Sequence, residues 1–125
     1  MLPAKPPLVL IIEDNRYTQR LLTKQLKARD FDILCKDDGK SGLEWLQTNQ
    51  ADIVVLDVIL PDADGIDICQ QIRQQYPTLP IMLLSAWGSD PIQRARATQA
   101  GANDMMAKPY ETDELVERLR ALLKP

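Results

Sequence analysis

Short, unbroken apolar runs alternate along this chain with stretches of mixed polarity. Leu8-Val9-Leu10-Ile11-Ile12, Ile53-Val54-Val55-Leu56 and Ile81-Met82-Leu83-Leu84 contain no polar residue. A strand with one wet face alternates apolar and polar side chains, so runs without alternation predict strands covered on both faces. They stop at Glu13-Asp14-Asn15, at Asp57 and at Ser85. Two shorter candidates are Phe31 to Cys35 and Asp104-Met105-Met106.

Between these runs the period is helical. From Arg16 to Arg29, a wheel puts Arg16, Arg20, Lys24 and Lys27 on one face and Leu21, Leu22 and Leu26 on the other. The turn Asp37-Asp38-Gly39 leads into a second helix, Lys40 to Thr48, in which Gly42 costs about 1 kcal/mol against Ala. A third helix follows the Leu60–Gly65 loop and runs to Gln75, with Ile68, Cys69 and Ile72 inward. Asp90-Pro91, a cap followed by proline, opens a fourth that ends at Gly101. The fifth runs from Thr112 to Leu123, with Leu115, Leu119 and Leu122 inward. Pro3, Pro6 and Pro7 leave residues 1–7 as an unstructured, flexible lead-in, and residues 8–125 form one domain. Strand then helix, five times over, predicts an α/β fold. It is a parallel sheet with helices on both faces and right-handed crossovers.

Composition removes many functions. Lys plus Arg is 15 and Asp plus Glu is 18, a formal charge of −3, which speaks against direct nucleic-acid binding. There are 0 histidines, so Ser-His-Asp and Cys-His catalysis, His-ligated zinc and phosphohistidine donation are all excluded. The 2 cysteines, Cys35 and Cys69, have no metal-type spacing and read as isolated core thiols of a reducing compartment. No apolar run reaches the ~18 residues of a membrane span, and the start lacks a signal peptide's apolar region. A cytoplasmic protein without membrane insertion is expected.

In an open parallel sheet, ligands bind beyond the carboxyl ends of the strands. Glu13 and Asp14, Asp57, Ser85 and Lys108 all stand at such ends. Carboxylates gathered in one crevice repel, and so take up protons or hold a cation. A few oxygen ligands open to water suit Mg²⁺ better than a caged Ca²⁺. A lysine and a hydroxyl beside that ion would receive phosphoryl oxygens, which leaves Asp57 as nucleophile. A P-loop around Gly39-Lys40-Ser41 fails because Leu34 stands where its first glycine belongs. An EF-hand around Asp62 and Asp64 fails because Leu60 and Gln71 occupy its end positions.

The same residues carry a resemblance. Glu13-Asp14, Asp57 followed by Leu60-Pro61 and Asp64-Gly65, Ser85-Ala86, and Gly101-Ala102-Asn103-Asp104 leading to Lys108-Pro109 resemble the receiver domain of bacterial two-component response regulators. Within that family the chain resembles the single-domain, chemotaxis-regulator-like type. The resemblance covers Leu8 to Leu123 and implies a flavodoxin-like (βα)5 sandwich with strand order 2-1-3-4-5. It implies that Asp57 accepts a phosphoryl group from the phosphohistidine of a histidine kinase or histidine phosphotransfer protein. It also implies a downstream protein target whose binding is switched. Mg²⁺ would be held by Asp14, Asp57 and the carbonyl of Ile59, with Glu13 reaching it through water. Lys108, Ser85 and the Ala86 N–H would hold the phosphoryl oxygens, and Lys108-Pro109 would be cis.

Glu13 stands where the family more often has Asp, Met105 where it has Tyr or Phe, and Trp87 is bulky at the mouth of the site. The basic stripe of the first helix reads as a solvated face, with docking of the phosphodonor as its second reading. Two other functions stay open: a receiver that binds partners without phosphorylation, and an aspartate-nucleophile phosphohydrolase. The second lacks its usual further Asp, since Ile59 holds that place. The chain stops just after its last helix, which leaves both a complete single-domain regulator and a piece of a longer one open.

Overall fold

The computed structural model describes residues 5–124. Residues 1–4 of the expected lead-in lie outside it, and residues 5–7 belong to no helix or strand. Five strands alternate with five helices: β1 (Leu8–Ile12), α1 (Arg16–Lys27), β2 (Asp32–Lys36), α2 (Gly39–Thr48), β3 (Ile53–Asp57), α3 (Gly65–Gln75), β4 (Ile81–Ser85), α4 (Pro91–Gln99), β5 (Asp104–Ala107) and α5 (Thr112–Leu123). All neighbouring strands are parallel, in the order β2-β1-β3-β4-β5. This is the flavodoxin-like arrangement.

The apolar runs are divided between two cores because successive side chains on a strand point to opposite faces. Leu10, Ile12, Val54, Leu56, Ile81 and Leu83 pack on one face with Leu46, Ile68, Ile72 and Ala97 of α2, α3 and α4. Val9, Ile11, Ile53, Val55, Met82 and Leu84 pack on the other with Leu22, Leu26, Leu115 and Leu119 of α1 and α5. Four helices start on an acidic or amide side chain that accepts a backbone N–H: Asn15 from Thr18, Asp38 from Ser41, Asp64 from Ile66 and Asp90 from Ile92. Such caps satisfy donors that the first helical turn leaves unpaired. Both cysteines are free.

Several expectations need correction. α1 stops at Lys27, because the chain turns through Asp30 at φ 70°. Leu21 is 41% exposed and does not face the core; Gln19 is buried instead. β2 is displaced by one residue, so buried Phe31 precedes the strand. Gly42 is more than a weak point in α2. A Cβ there would stand 2.4 Å from Cδ1 of the fully buried Ile12, so glycine is what lets α2 lie against β1.

Candidate functional site at the carboxyl edge of the sheet

β1, β3 and β4 sit side by side in the middle of the sheet; β3 ends in Asp57 and β4 in Ser85, and Glu13 follows directly on β1. Parallel register aligns these ends: Leu56 lies opposite Ile12 and Leu83, and Asp57 opposite Leu84. Asp57 therefore emerges as the sheet ends, flanked by the chain leaving β1 and the chain leaving β4.

Glu13 and Asp57 are both buried and both face Lys108. The Lys108 ammonium donates to Oδ2 of Asp57 at 2.7 Å and lies 3.5 Å from Oε1 of Glu13. The other oxygens are held by the main chain. Asp57 Oδ1 accepts from the Ile59 N–H at 3.0 Å, and Glu13 Oε2 from the Asn15 N–H at 3.2 Å. Burial pushes the Glu13 carboxyl up to about 7. The Asn15 N–H works against this, and the hydrogen bond and charge of Asp57 add to it. Burial alone would lower the pKa of Lys108, but the hydrogen bond and charge of Asp57, with Glu13 behind them, hold it above the ordinary lysine range.

Lys108 is aimed by the end of β5. Its N–H donates to the Ser85 carbonyl at 2.9 Å, and its bond to Pro109 is cis, as the resemblance implied. Gly65 gives α3 its close approach to the acceptor: a Cβ there would lie 2.1 Å from the carbonyl oxygen of Asp57. Ser85 is buried, and its Oγ accepts the N–H of Trp87 at 3.0 Å. Asp14 and Ala86 are exposed. Ile59 and Trp87 are also exposed, at 62% and 63%. A cavity of about 740 Å³ lies at the opposite end of the sheet, lined by Asn49, Asp52, Tyr76 and Pro80 among others, and holds none of these groups.

A family model described as the response regulator receiver domain matches residues 9–120. The chain is a receiver domain of the response regulator family. It is 37% identical over 93% of its length to the response regulator ArlR of Staphylococcus saprophyticus, of which it covers 52%. The Francisella response regulator 1452 receiver domain is 28% identical and superposes with a TM-score of 0.88, covering 94% of this chain and 96% of that one. A BeF3-activated DrrB receiver domain is 25% identical, with a TM-score of 0.86 and coverage of 96% and 99%. The chain spans about half the length of the curated relatives it matches.

As a receiver domain it presents a donor set suited to a small, hard cation. Two buried carboxylates, Glu13 and Asp57, face one ammonium, and the exposed Asp14 follows Glu13 in the chain. Among the described residues, no three acidic or cysteine side chains are gathered closely enough to cage a metal by themselves. Mg²⁺ does not need such a cage, since it keeps several waters and takes one or two carboxylates.

Two polar residues to which the sequence assigned no part in the site, Asp62 having been considered only for an EF-hand loop, hold its loops together. Gln19 donates its amide to the Glu13 carbonyl and to Asp37, and Asp62 accepts from the backbone of Gly39 and Lys40. Gln19 shares the three-and-four spacing of Leu22 and Leu26, and that spacing marks it as inward. Nothing local marks Asp62. Among the described residues no helix is long and apolar enough to cross a membrane.

Proposed function

We propose that Asp57 is the phosphoacceptor of this receiver domain. The observation that carries this reading is the Lys108 ammonium at 2.7 Å from Oδ2 of a buried Asp57, beside a second buried carboxylate. The donor is a phosphohistidine on a histidine kinase or histidine phosphotransfer protein. An Asp57 oxygen attacks phosphorus, the P–N bond breaks, and its electron pair returns to the imidazole. The product is an acyl phosphate. Lys108 follows the charge from the carboxylate to the phosphoryl oxygens, and Ser85 Oγ and the Ala86 N–H offer further hydrogen bonds there.

Glu13, Asp14, Asp57 and the Ile59 carbonyl would hold Mg²⁺. The ion supplies charge neutralisation, which lets an anionic nucleophile meet an anionic phosphoryl group. The domain promotes only its own phosphorylation and slow hydrolysis and has no external substrate. Its phosphorylated form changes affinity for a downstream protein. The acidic balance, 15 basic against 18 acidic residues, supports a protein and not a nucleic acid as the partner of this domain.

The test is incubation with acetyl phosphate and Mg²⁺, followed by intact mass. Wild type should gain one acid-labile phosphate and Asp57→Asn none, with the variant's melting temperature close to wild type. Unmodified wild type would support a phosphorylation-independent interaction domain, and release of phosphate from added esters would support a hydrolase.

A further inference from the structure

The two loops that carry the site's acids are tied together through a third loop that carries none of its chemistry. Gln19, buried on α1, donates its amide N–H groups to the Glu13 carbonyl and, at 2.7 Å, to Oδ1 of Asp37. Asp37 lies in the β2–α2 turn. Where that turn enters α2, the N–H groups of Gly39 and Lys40 donate to Oδ1 and Oδ2 of Asp62, each at 2.9 Å. Asp62 belongs to the β3–α3 loop, which also carries Ile59. Two sets of hydrogen bonds, joined by the short backbone step from Asp37 to Gly39, thus link Glu13 through Gln19, the β2–α2 turn and Asp62 to the loop beyond Asp57.

α2 already has a cap, since Asp38 accepts the Ser41 N–H at 2.7 Å. Water could serve the exposed Lys40 amide. A carboxylate spanning both amides from another loop fixes the distance between loops, and water would not. Gln19 is likewise a polar side chain held in a buried position, where its hydrogens must be used. It uses them on one loop at each side of α1.

We propose that Gln19, Asp37 and Asp62 are positioning residues. They form a brace that sets the spacing of the Glu13–Asp14 loop against the Asp57–Ile59 loop, and with it the affinity of the site for a divalent cation. The proposal rests on the Mg²⁺ reading above. None of the three touches the reacting atoms. Partners one step behind a metal ligand cost about 10- to 100-fold in affinity when removed, and a brace acting through the main chain belongs at the lower end.

Calorimetric titration of the full chain with MgCl₂ tests this on wild type, Asp62→Ala, Asp62→Asn and Gln19→Met. The last keeps the side chain's length and removes its amide. Asp62→Ala and Gln19→Met should each weaken binding by about tenfold, and Asp62→Asn, with one acceptor oxygen left, should fall between. Hydrogen exchange gives a readout that a purely structural role would not move. Mg²⁺ should slow exchange of the Gly39 and Lys40 amides in wild type, and not in Gln19→Met. Wild-type affinity in folded Asp62→Ala and Gln19→Met overturns the brace and leaves the Asp57 site standing. If Gln19→Met does not fold, the exposed Asp62 pair decides alone. Absence of Mg²⁺ binding in wild type overturns the metal site and the brace together.

Discussion

The Lys108 ammonium and the Asp57 carboxylate form a 2.7 Å ion pair at a place where only 31% of the lysine side chain and 11% of the aspartate side chain meet solvent. Glu13, 6% exposed, sits on the same ammonium at 3.5 Å. One cation thus balances two carboxylates that the fold has largely withdrawn from water. Removing that ammonium would leave both acids without their shared partner.

Replacing Lys108 by Ala should therefore strengthen Mg²⁺ binding, because the competing charge is gone. The same variant should respond weakly to beryllofluoride, a phosphoryl mimic, because the mimic's negative atoms lose their charge-assisted partner. Titration of the variant followed by amide NMR checks both. Wild-type beryllofluoride shifts in Lys108→Ala would contradict the role given to this residue.

Gly42→Ala should destabilise the domain, although helix propensity favours Ala by about 1 kcal/mol. The added methyl meets Ile12 Cδ1 at 2.4 Å, and Ile12 is fully buried under α2. Overpacking in a closed core costs about 1–3 kcal/mol, enough to cancel or exceed the propensity gain. Urea unfolding should give a lower midpoint with an unchanged slope. A raised midpoint would mean that Ile12 finds another rotamer at no cost.

That glycine marks where sequence reading stops. Strands, helices and caps are legible because each depends on neighbours along the chain: the period of apolar residues, an Asp before a helix, a glycine after one. Asp57, Ser85 and Lys108 are legible because the ends of buried strands must converge. Gly42 against Ile12 and Asp62 against Gly39 are contacts across the fold, with no trace in local pattern. Leu21 failed for another reason: a wheel assigns faces but not their width, and the boundary between wet and buried ran through it, with Gln19 on the inner side.

Buried Met105 cannot report a movement of Ser85 by a ring flip, as an aromatic could. The contacts offer another route. Arg94 of α4 donates Nη1 to the Gly88 carbonyl at 2.8 Å and to the Met105 carbonyl at 3.2 Å. It thereby joins the loop after Ser85 to β5. Beryllofluoride should shift amides 86–94 more than those flanking Met105, and Arg94→Met should leave the loop response intact while removing it from β5. Shifts centred on Met105 that spare residues 86–92 would refute this route.

The last expectation concerns how long the phosphoryl group stays. Hydrolysis needs a water in line with the breaking P–O bond, on the open side of the site. Ile59 and Trp87, each more than three-fifths solvent-accessible, stand two residues after Asp57 and Ser85, and the expectation is that they flank that approach. Ile59 cannot hydrogen-bond a water, and Trp87 offers only a donor at one edge of its ring. Both are bulky enough to narrow the approach. Losing water positioning worth about 1.4 kcal/mol in the transition state slows hydrolysis about tenfold. Phosphorylated Ile59→Asn/Trp87→Glu should accordingly lose phosphate about tenfold faster than wild type, timed by intact mass after excess acetyl phosphate is removed. The single variants assign the share of each side chain. Trp87 also reports the reaction directly, because its fluorescence should change as the site fills while half-buried Trp45 on α2 stays constant. An unchanged lifetime in the double variant would show that neither side chain controls the water.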